Sequence, residues 1–228
     1  MSLRPRLKMV ADMVRPGSLI ADIGTDHGYL PAWLVKSGKC PGGIAADLRK
    51  SPLENARETL NIYGVEDKIQ LRLSDGLDSV LPEECDDIVF AGMGGTLIVE
   101  LLERTPWVKD SGKRIIVQPM THSENVREFF CKNGFTILCE NACHDDGRDY
   151  ICICAEFSGK NTKADGLYYY IGCHPLEDNI SSLSYAKKQI FRVRKRADSL
   201  KKAGISSQEL IELEKILTDF EEVQPWQE

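Results

Sequence analysis

The stretch "IADIGTDHGYLPAWL", residues 20–34, decides the fold of this chain. Its first four residues are typical of a short buried strand, Gly24 follows as a turn, and Tyr29 begins a run with the apolar density of a helix. A strand, a glycine turn and a helix start in such close succession indicate a nucleotide-binding loop at the carboxyl end of a parallel strand.

The chemistry of this loop is acidic. It lacks the G-x-G-x-x-G spacing of a dinucleotide-binding loop, and Asp26 and His27 stand where such a loop presents bare backbone. Asp26 would repel a pyrophosphate at the helix N-terminus. S-adenosylmethionine has no phosphate, and near this turn it presents an ammonium and a sulfonium, which acidic side chains attract. The pattern D-x-G-x-x-x-G, with Asp22, Gly24 and Gly28, is close to the D/E-x-G-x-G-x-G loop of methyltransferases.

Two further acids lie at the ends of the next two predicted strands. Asp47 lies 23 residues after Gly24, where a carboxylate can accept hydrogen bonds from both ribose hydroxyls. Ser74, Asp75 and Gly76 follow the third strand, where Asp75 can accept a hydrogen bond from the adenine amino group. Each acid alone could equally cap a helix or a turn. Acids at three successive strand ends, all on the carboxyl edge of the sheet, favour a cofactor site.

Strand and helix patterns alternate through residue 157. Strands are predicted at 18–23, 42–47, 68–73, 87–92, 114–118, 135–140 and 149–157, and helices at 29–38, 51–64, 94–104 and 122–134. Short buried strands separated by helices predict a doubly wound, mostly parallel sheet. No helix pattern separates the last two strands, so they should form an antiparallel hairpin. The predicted fold is therefore α/β, with the Rossmann-like seven-stranded sheet of class I methyltransferases.

The composition changes after Gly159. Residues 161–166 read as a polar linker, and "YYYIGCHP", 168–175, is predicted to be extended. Two helices follow, with apolar residues at heptad spacing: 183, 186, 190, 193, 197 and 200 in the first, and 210, 213, 217 and 220 in the second. Gly204 is expected to end the first helix, and Ser206 and Glu209 to form a capping box on the second. We expect a methyltransferase domain at 1–160 and an antiparallel coiled-coil hairpin within 161–228.

The whole-chain composition is that of an ordinary soluble protein. The 228 residues are 42% hydrophobic and 28% charged, and the net charge of −6 argues against general binding of polyanions. No apolar run is as long as a membrane span and no signal peptide is evident, so a cytoplasmic location is expected. The eight cysteines include no C-x-x-C pair, and only Cys139, Cys143 and His144 resemble metal ligands. Their spacing is irregular, and we expect reduced thiols and no metal.

The positive charge is concentrated in two places. In the segment 187–202, Asp198 is the only acidic residue, and the sequence near the N-terminus contributes Arg4, Arg6 and Lys8. Local basic surface on an acidic protein favours one particular polyanionic partner. The alternative for the helical segment is a solvated coiled-coil face, but its one-sided charge favours contacts with RNA phosphates.

The fourth strand ends in "AGMGG", residues 91–95. An N6-adenine methyltransferase would be expected to show D/N-P-P-Y/F here, and a cytosine-C5 enzyme a Pro-Cys nucleophile; neither is present. Gly92, Gly94 and Gly95 leave the backbone bare where a planar substrate would meet the methyl group. The alternative is a plain turn from strand to helix.

Five motifs occur in a distinctive order: "DIGTDHGYLP", "SPLENA", "DGL", "AGMGG" and, after the fifth strand, "QP". With them the chain resembles, from Arg4 almost to its end, the bacterial tRNA (adenine-N1)-methyltransferases that modify the adenine at position 22. The resemblance implies S-adenosyl-L-methionine as cofactor and tRNA as partner, with a helical hairpin after the catalytic domain. It departs from the family pattern at Met120, where Asn is expected and the amide is missing. We expect a monomer or a weak dimer.

The implied reaction needs no covalent nucleophile, because N1 of adenine has an in-plane lone pair. Catalysis then consists of alignment and of stabilising the positive charge that develops on the base. Asp26 is the expected catalytic carboxylate. Tyr29 is expected to stack on the extruded base, the alternative being a core residue in the first helical turn. His27 is expected to handle a proton or to orient the loop.

The expected site residues fall into two sets. Those for the cofactor are Asp22, Gly24, Thr25, Gly28, Asp47, Ser74, Asp75, Gly76, Gly92, Met93 and Gly94. Those for the substrate are Arg4, Arg6, Gly95, Gln118, Pro119, Lys187, Lys188, Arg192, Arg194, Lys195 and Arg196. The alternatives are a class I methyltransferase of another RNA base, a non-catalytic RNA-binding or coiled-coil adaptor, and a dinucleotide oxidoreductase.

Overall fold

The computed structural model describes residues 2–110, 112–173 and 179–223. One seven-stranded sheet forms its centre, with the order β3-β2-β1-β4-β5-β7-β6. The strands are β1 Ile20–Ile23, β2 Gly43–Asp47, β3 Ile69–Leu73, β4 Asp87–Gly94, β5 Arg114–Thr121, β6 Phe135–Asp145 and β7 Arg148–Phe157. The first five strands are parallel, whereas β7 runs antiparallel to both β5 and β6. The predicted Rossmann-like methyltransferase fold is confirmed.

Helices cover both faces of the sheet. Across the described residues they are α1 Pro5–Met13, α2 Tyr29–Lys36, α3 Lys50–Tyr63, α4 Gly95–Glu103, α5 Ser123–Lys132, α6 Gly166–Ile171, α7 Ile180–Lys202 and α8 Gln208–Val223. Alternate strand residues point to opposite faces, so Ile88 and Phe90 pack with α4 and α5, while Val89 packs with α1, α2 and α3. The strands at the centre are therefore buried on both sides, as a parallel sheet requires. None of the described helices is long and apolar enough to cross a membrane.

The hairpin between β6 and β7 is longer than predicted. Strand pairing continues to Asp145 and Arg148, so the expected loop of about eight residues contracts to a turn at Asp146 and Gly147. Both turn residues have positive φ, +52° and +72°, which is the backbone of a two-residue hairpin turn that Asp-Gly favours.

Two predicted local structures at the C-terminal side are wrong. Residues 168–171 are helical, not extended, because the Asp165 side chain accepts a hydrogen bond from the backbone N–H of Tyr168 and starts α6. Residues 174–178 of the same predicted segment lie outside the described residues. The cap of α8 is Ser207, whose Oγ accepts from the backbone N–H of Leu210, so the expected capping box at Ser206 does not form. Gly204, with φ +67°, does end α7.

The heptad residues of α7 and α8 pack against each other within one chain. Ala186, Ile190 and Val193 of α7 share a buried cluster with Leu213 and Phe220 of α8. The antiparallel coiled-coil hairpin predicted from the sequence is therefore present.

A buried ion pair lies where the hairpin meets the sheet. Arg127 of α5 is fully buried, and its Nη2 lies 2.8 Å from Oε2 of Glu140 in β6. Its Nη1 donates to the carbonyl oxygen of Tyr169, at 2.8 Å, and to that of Tyr170, at 3.2 Å. Desolvation opposes the charge of Arg127, but Glu140 outweighs it and the pKa of the guanidinium is raised. The boundary between residues 160 and 161 stays a prediction, since this contact joins both sides of it.

Candidate active site

The first loop is fixed from two sides. Gly24 and Gly28 have φ of +77° and +64°, a conformation that favours glycine. A side chain at Gly28 would lie 3.0 Å from Cβ of Ala56 in α3, and one at Gly24 would lie 2.9 Å from Sδ of Met93 in β4. The loop thus needs both glycines for its backbone and for close packing, and Met93 brings the end of β4 against it.

Asp22 is a buried acid near the end of β1, only 5% exposed. Burial raises the pKa of its carboxyl to about 6, a hydrogen bond from Thr25 opposes this rise, and the charge of Asp47 adds to it. No lysine or arginine of the described residues lies within ion-pair distance of Asp22. A buried carboxylate without a cation is unfavourable, so the site has the chemistry to bind one.

Asp47 complements Asp22 at the neighbouring strand end. Its side chain is 11% exposed, and Oδ1 accepts a hydrogen bond from the backbone N–H of Arg49 at 2.8 Å. Two carboxylates at the ends of β1 and β2 suit an ammonium group and a ribose diol. The residues present therefore fit S-adenosylmethionine.

At the third strand end the predicted residues make internal contacts. Ser74 Oγ donates to the carbonyl oxygen of Gly76, at 2.9 Å. The carboxylate of Asp75 lies 2.7 Å from Nη2 of Arg104, which lowers the pKa of Asp75. A side chain at Gly76 would lie 2.6 Å from a methyl carbon of Leu101. Each of these contacts shapes the loop, and the roles of the three residues toward adenine stay predictions.

Asp26, His27 and Tyr29 form one exposed group above the sheet edge. Oδ2 of Asp26 lies 3.4 Å from Nε2 of His27, and the rings of His27 and Tyr29 stack at 5.3 Å between centroids with 19° between planes. Tyr29 is 45% exposed, so it is not a core residue of the first turn. The group is accessible to a planar ligand at the point where α2 begins.

The ends of β4 and β5 meet beside this group. A side chain at Gly95 would overlap the backbone carbonyl of His122, so α4 can start here only with glycine. Register shifts in β4 between Ala91 and Gly94 accompany this close approach. His122 has a left-handed φ of +52°, which is uncommon for a residue with a side chain.

Arg6 lies at this end of the sheet and not on a separate basic surface. Its Nη1 donates to Oε1 of the fully buried Gln118 at 2.7 Å, and its guanidinium lies 5.7 Å from the ring of Tyr150. A side chain at Gly92 would lie 3.1 Å from the same Nη1. Gln118 donates in turn to the carbonyl of Pro119 at 3.2 Å. We call Arg6, Gln118, Pro119 and Tyr150 the acceptor side of the site; Tyr150 had no sequence signal.

The other N-terminal basic residues lie apart from Arg6. Arg4 pairs with Asp145 at 2.9 Å and Lys8 pairs with Asp12. The sequence predicts that these three cations form one phosphate-binding surface. In the structure, each of them contacts a different residue.

The basic helix α7 is only partly available to an external anion. Oε1 of Glu209 in α8 lies 2.7 Å from Nε of Arg196, and Arg194 pairs with Glu221 at 3.3 Å. Arg192 reaches Glu124 of α5 at 3.4 Å. The basic residues of α7 that have no ion pair to any described residue are Lys187, Lys188, Lys195 and Lys202.

No cluster resembling a metal site is formed by the described residues, where no three His, Cys, Asp or Glu side chains are grouped suitably. Nδ1 of His144 lies 2.9 Å from Oδ1 of Asp149. Cys139 is exposed and Cys143 half-buried, both as free cysteines.

The strand order, the acidic first loop and the glycine-rich end of β4 define a class I methyltransferase. The family described as "Methyltransferase domain" matches residues 3–153. A tRNA (adenine(22)-N(1))-methyltransferase of Bacillus subtilis is 34% identical over 167 residues, which cover 73% of this chain and 70% of that protein. The chain belongs to the family of S-adenosylmethionine-dependent tRNA (adenine-N1)-methyltransferases.

Solved structures extend this likeness to the whole chain. The crystal structure of the tRNA methyltransferase TrmK of Bacillus subtilis superposes with a TM-score of 0.80 at 28% identity, covering 96% of each chain. A Streptococcus pneumoniae protein in complex with S-adenosyl-L-methionine gives a TM-score of 0.78 at 28% identity, covering 97% of this chain and 99% of the other. At this coverage the helical hairpin is part of the shared architecture.

Proposed function

We propose that this protein transfers a methyl group from S-adenosylmethionine to N1 of adenine 22 in tRNA, in the cytoplasm. The observation that best supports S-adenosylmethionine as the cofactor is the buried carboxylate of Asp22. It lies beside Asp47 and has no basic partner among the described residues. Family membership supports the target base, and so does the exposed group of Asp26, His27 and Tyr29 at the start of α2.

The first loop and the second strand end hold the cofactor. S-adenosylmethionine supplies an electrophilic methyl group on a sulfonium. Asp22, when ionised, complements the ammonium of a bound amino acid, and Asp47 accepts hydrogen bonds from ribose hydroxyls. The glycines of the loop let the backbone approach the ligand without a side chain between them.

The exposed group receives the base. Because N1 lies on the Watson–Crick edge, adenine must leave its stacked environment, and the exposed ring of Tyr29 offers it a new stacking partner. Asp26 provides a carboxylate beside the base, where it stabilises the positive charge that the ring acquires and can accept a proton from the N6 amino group. His27, stacked on Tyr29 and close to Asp26, fixes the positions of both.

The direct test maps the modified nucleoside. Transfer RNA transcripts are incubated with the protein and the methyl donor, digested and analysed by mass spectrometry. We expect 1-methyladenosine at position 22, and none in a transcript with guanine there. Methylation of another base would support the runner-up, a class I enzyme for a different RNA target. Tight tRNA binding without any methyl incorporation would support the adaptor.

We also propose that the protein is a monomer or a weak dimer. The heptad seams of α7 and α8 bury each other within one chain, so the coiled coil does not need a second copy. Sedimentation equilibrium at micromolar concentration measures this, and a stable dimer would contradict it.

A further inference from the structure

A cavity of about 320 Å³ opens next to the acceptor side. It lies where the loop between β5 and α5, the start of β7 and the middle of α7 come together, and its lining includes Pro119, Met120, Arg148, Tyr150, Lys188 and Arg192. Its volume is at the lower end for small-ligand pockets, which suits a phosphate and part of its sugar better than a second base.

The charge of this cavity is positive. Arg148 comes from the sheet, and Lys188 and Arg192 from the hairpin. Asp149 is the acidic residue of its lining, and both carboxylate oxygens are occupied: Oδ1 by His144 at 2.9 Å and Oδ2 by the hydroxyl of Ser184 at 2.6 Å. Arg148 and Lys188 form no ion pair with any described residue, so their charges are available.

A larger groove on the other side of Arg192 has a different character. It has a volume of about 960 Å³ and lies between α5, α6 and the hairpin. Its lining carries five acids, Glu124, Glu128, Glu209, Glu212 and Asp219, and four basic residues, Arg192, Lys195, Arg196 and Lys215, so it has no net positive charge to attract a polyanion. The two cavities thus divide the surface next to the acceptor side into a basic and a mixed, acid-rich part.

We propose that the smaller cavity binds a backbone phosphate of the RNA strand that carries the target adenine, with Arg148 and Lys188 as its ligands. This inference rests on the proposed function. The cavity shares Pro119 and Tyr150 with the acceptor side, so an RNA strand that delivers a base to the sheet edge would pass over it. Phosphate contacts fix register and orientation, and here one cation comes from the sheet and one from the hairpin. The hairpin thereby positions the base as well as adding affinity.

The first experiment removes the charges singly. We compare Arg148→Gln, Lys188→Gln and the matched control Lys215→Gln, which removes a hairpin lysine that lines the acid-rich groove. Filter binding of tRNA over a range of salt concentrations and calorimetry with S-adenosylmethionine are the measurements. We expect about tenfold weaker tRNA binding for the first two variants, with a salt slope lower by about 0.7–0.9 per lost contact. The control should bind tRNA normally, and the affinity for S-adenosylmethionine should be unchanged in all three.

The second experiment identifies the phosphate. Synthetic tRNAs carry one neutral methylphosphonate at each linkage near adenine 22 in turn. We expect one of these to weaken binding to the wild-type protein more than tenfold, to have a smaller effect in Arg148→Gln or Lys188→Gln, and to have none in the double variant that lacks both cations. Additive losses at every linkage would overturn the inference, as would equal losses in the Lys215 control. Binding is measured without catalysis, so an enzyme that binds tRNA but methylates nothing overturns the proposed function and leaves this test intact.

Discussion

The half of the sheet edge formed by β1, β2 and β3 can be compared with the half formed by β4, β5 and β7. The first half carries Asp22, Asp47 and Asp75, and the second carries Arg6 and Arg148. A cation-bearing cofactor and a polyanionic substrate can therefore bind side by side without competing for the same groups. Asp26 follows β1, which adjoins β4 at the junction of the two halves, and there we propose that the methyl group is transferred.

The largest expected effect is at this junction. Asp26→Ala should lower the single-turnover rate of methyl transfer by about 100-fold or more, because it removes the carboxylate that we propose to stabilise charge on the base. The affinity for S-adenosylmethionine should change little, since Asp22 and Asp47 remain. Asp67→Ala, an exposed acid beyond the opposite edge of the sheet, is the matched control. A fully active Asp26→Ala variant would remove this residue from the mechanism.

The next effect concerns the acidic half and depends on pH. The pKa of Asp22 is raised to about 6, and a bound ammonium favours the ionised carboxylate. Binding of the cofactor below pH 6 should therefore release the proton of Asp22. Affinity for S-adenosylmethionine should rise by up to about tenfold per pH unit below pH 6 and level off above it. The pH dependence of folding stability has the opposite sign. Without ligand, the raised pKa of Asp22 makes the free energy of unfolding fall as pH rises from about 4 to 6.

Asp22→Asn is the variant that checks this assignment. It should bind S-adenosylmethionine weakly and with an affinity that does not change between pH 5 and 7. Calorimetry over that range measures both proteins. A wild-type affinity that is flat in pH would contradict the role of Asp22, and so would an unchanged slope in Asp22→Asn.

A smaller effect is expected in the other half. Arg6→Ala removes the hydrogen bond to the buried Gln118 and the contact with Tyr150. Methyl transfer at subsaturating tRNA should fall about tenfold, while cofactor affinity stays the same. The buried amide oxygen of Gln118 loses its partner, which costs about 1–3 kcal/mol of stability, and thermal denaturation measures that part separately. A loss of cofactor affinity as large as the loss of rate would contradict the division into two halves.

The smallest effect is expected on the hairpin. Arg196→Gln should change tRNA affinity less than twofold, because Glu209 already neutralises this guanidinium and the pair is exposed. Filter binding beside Lys188→Gln is the comparison. Equal losses of tRNA affinity in the two variants would mean that the ion pairs within the hairpin do not decide which cations contact RNA.

The acidic half could be predicted from the sequence because its chemistry is local. Each acid lies at or just after the end of a strand that its apolar residues predict, and the parallel order brings the strand ends to one edge. The acceptor side has no such signal. Arg6 and Gln118 are 112 residues apart, and the contacts of Arg6 with Gln118 and Tyr150 exist only after α1 packs on the sheet.

The errors at the C-terminal side have similar causes. Three consecutive tyrosines favour a strand, yet the Asp165 cap makes them helical. The sequence of α7 has an excess of positive charge. The acids that neutralise Arg194 and Arg196 belong to α8, and they reach these residues only when the two helices pack together.

The buried pair of Arg127 and Glu140 constrains how this architecture can evolve. Removing one partner of a buried pair costs about 3–5 kcal/mol, a large share of the roughly 5–15 kcal/mol that stabilises a typical domain. The carbonyls of Tyr169 and Tyr170 complete the shell of the guanidinium, and a side chain at Gly172 would overlap Glu140. Recombination that exchanged or deleted everything after β7, α6 together with the hairpin, would remove these two carbonyls and leave the buried guanidinium with an incomplete shell. The two parts are thus expected to be inherited as one unit, and the hairpin to diverge mainly on its solvent-facing side.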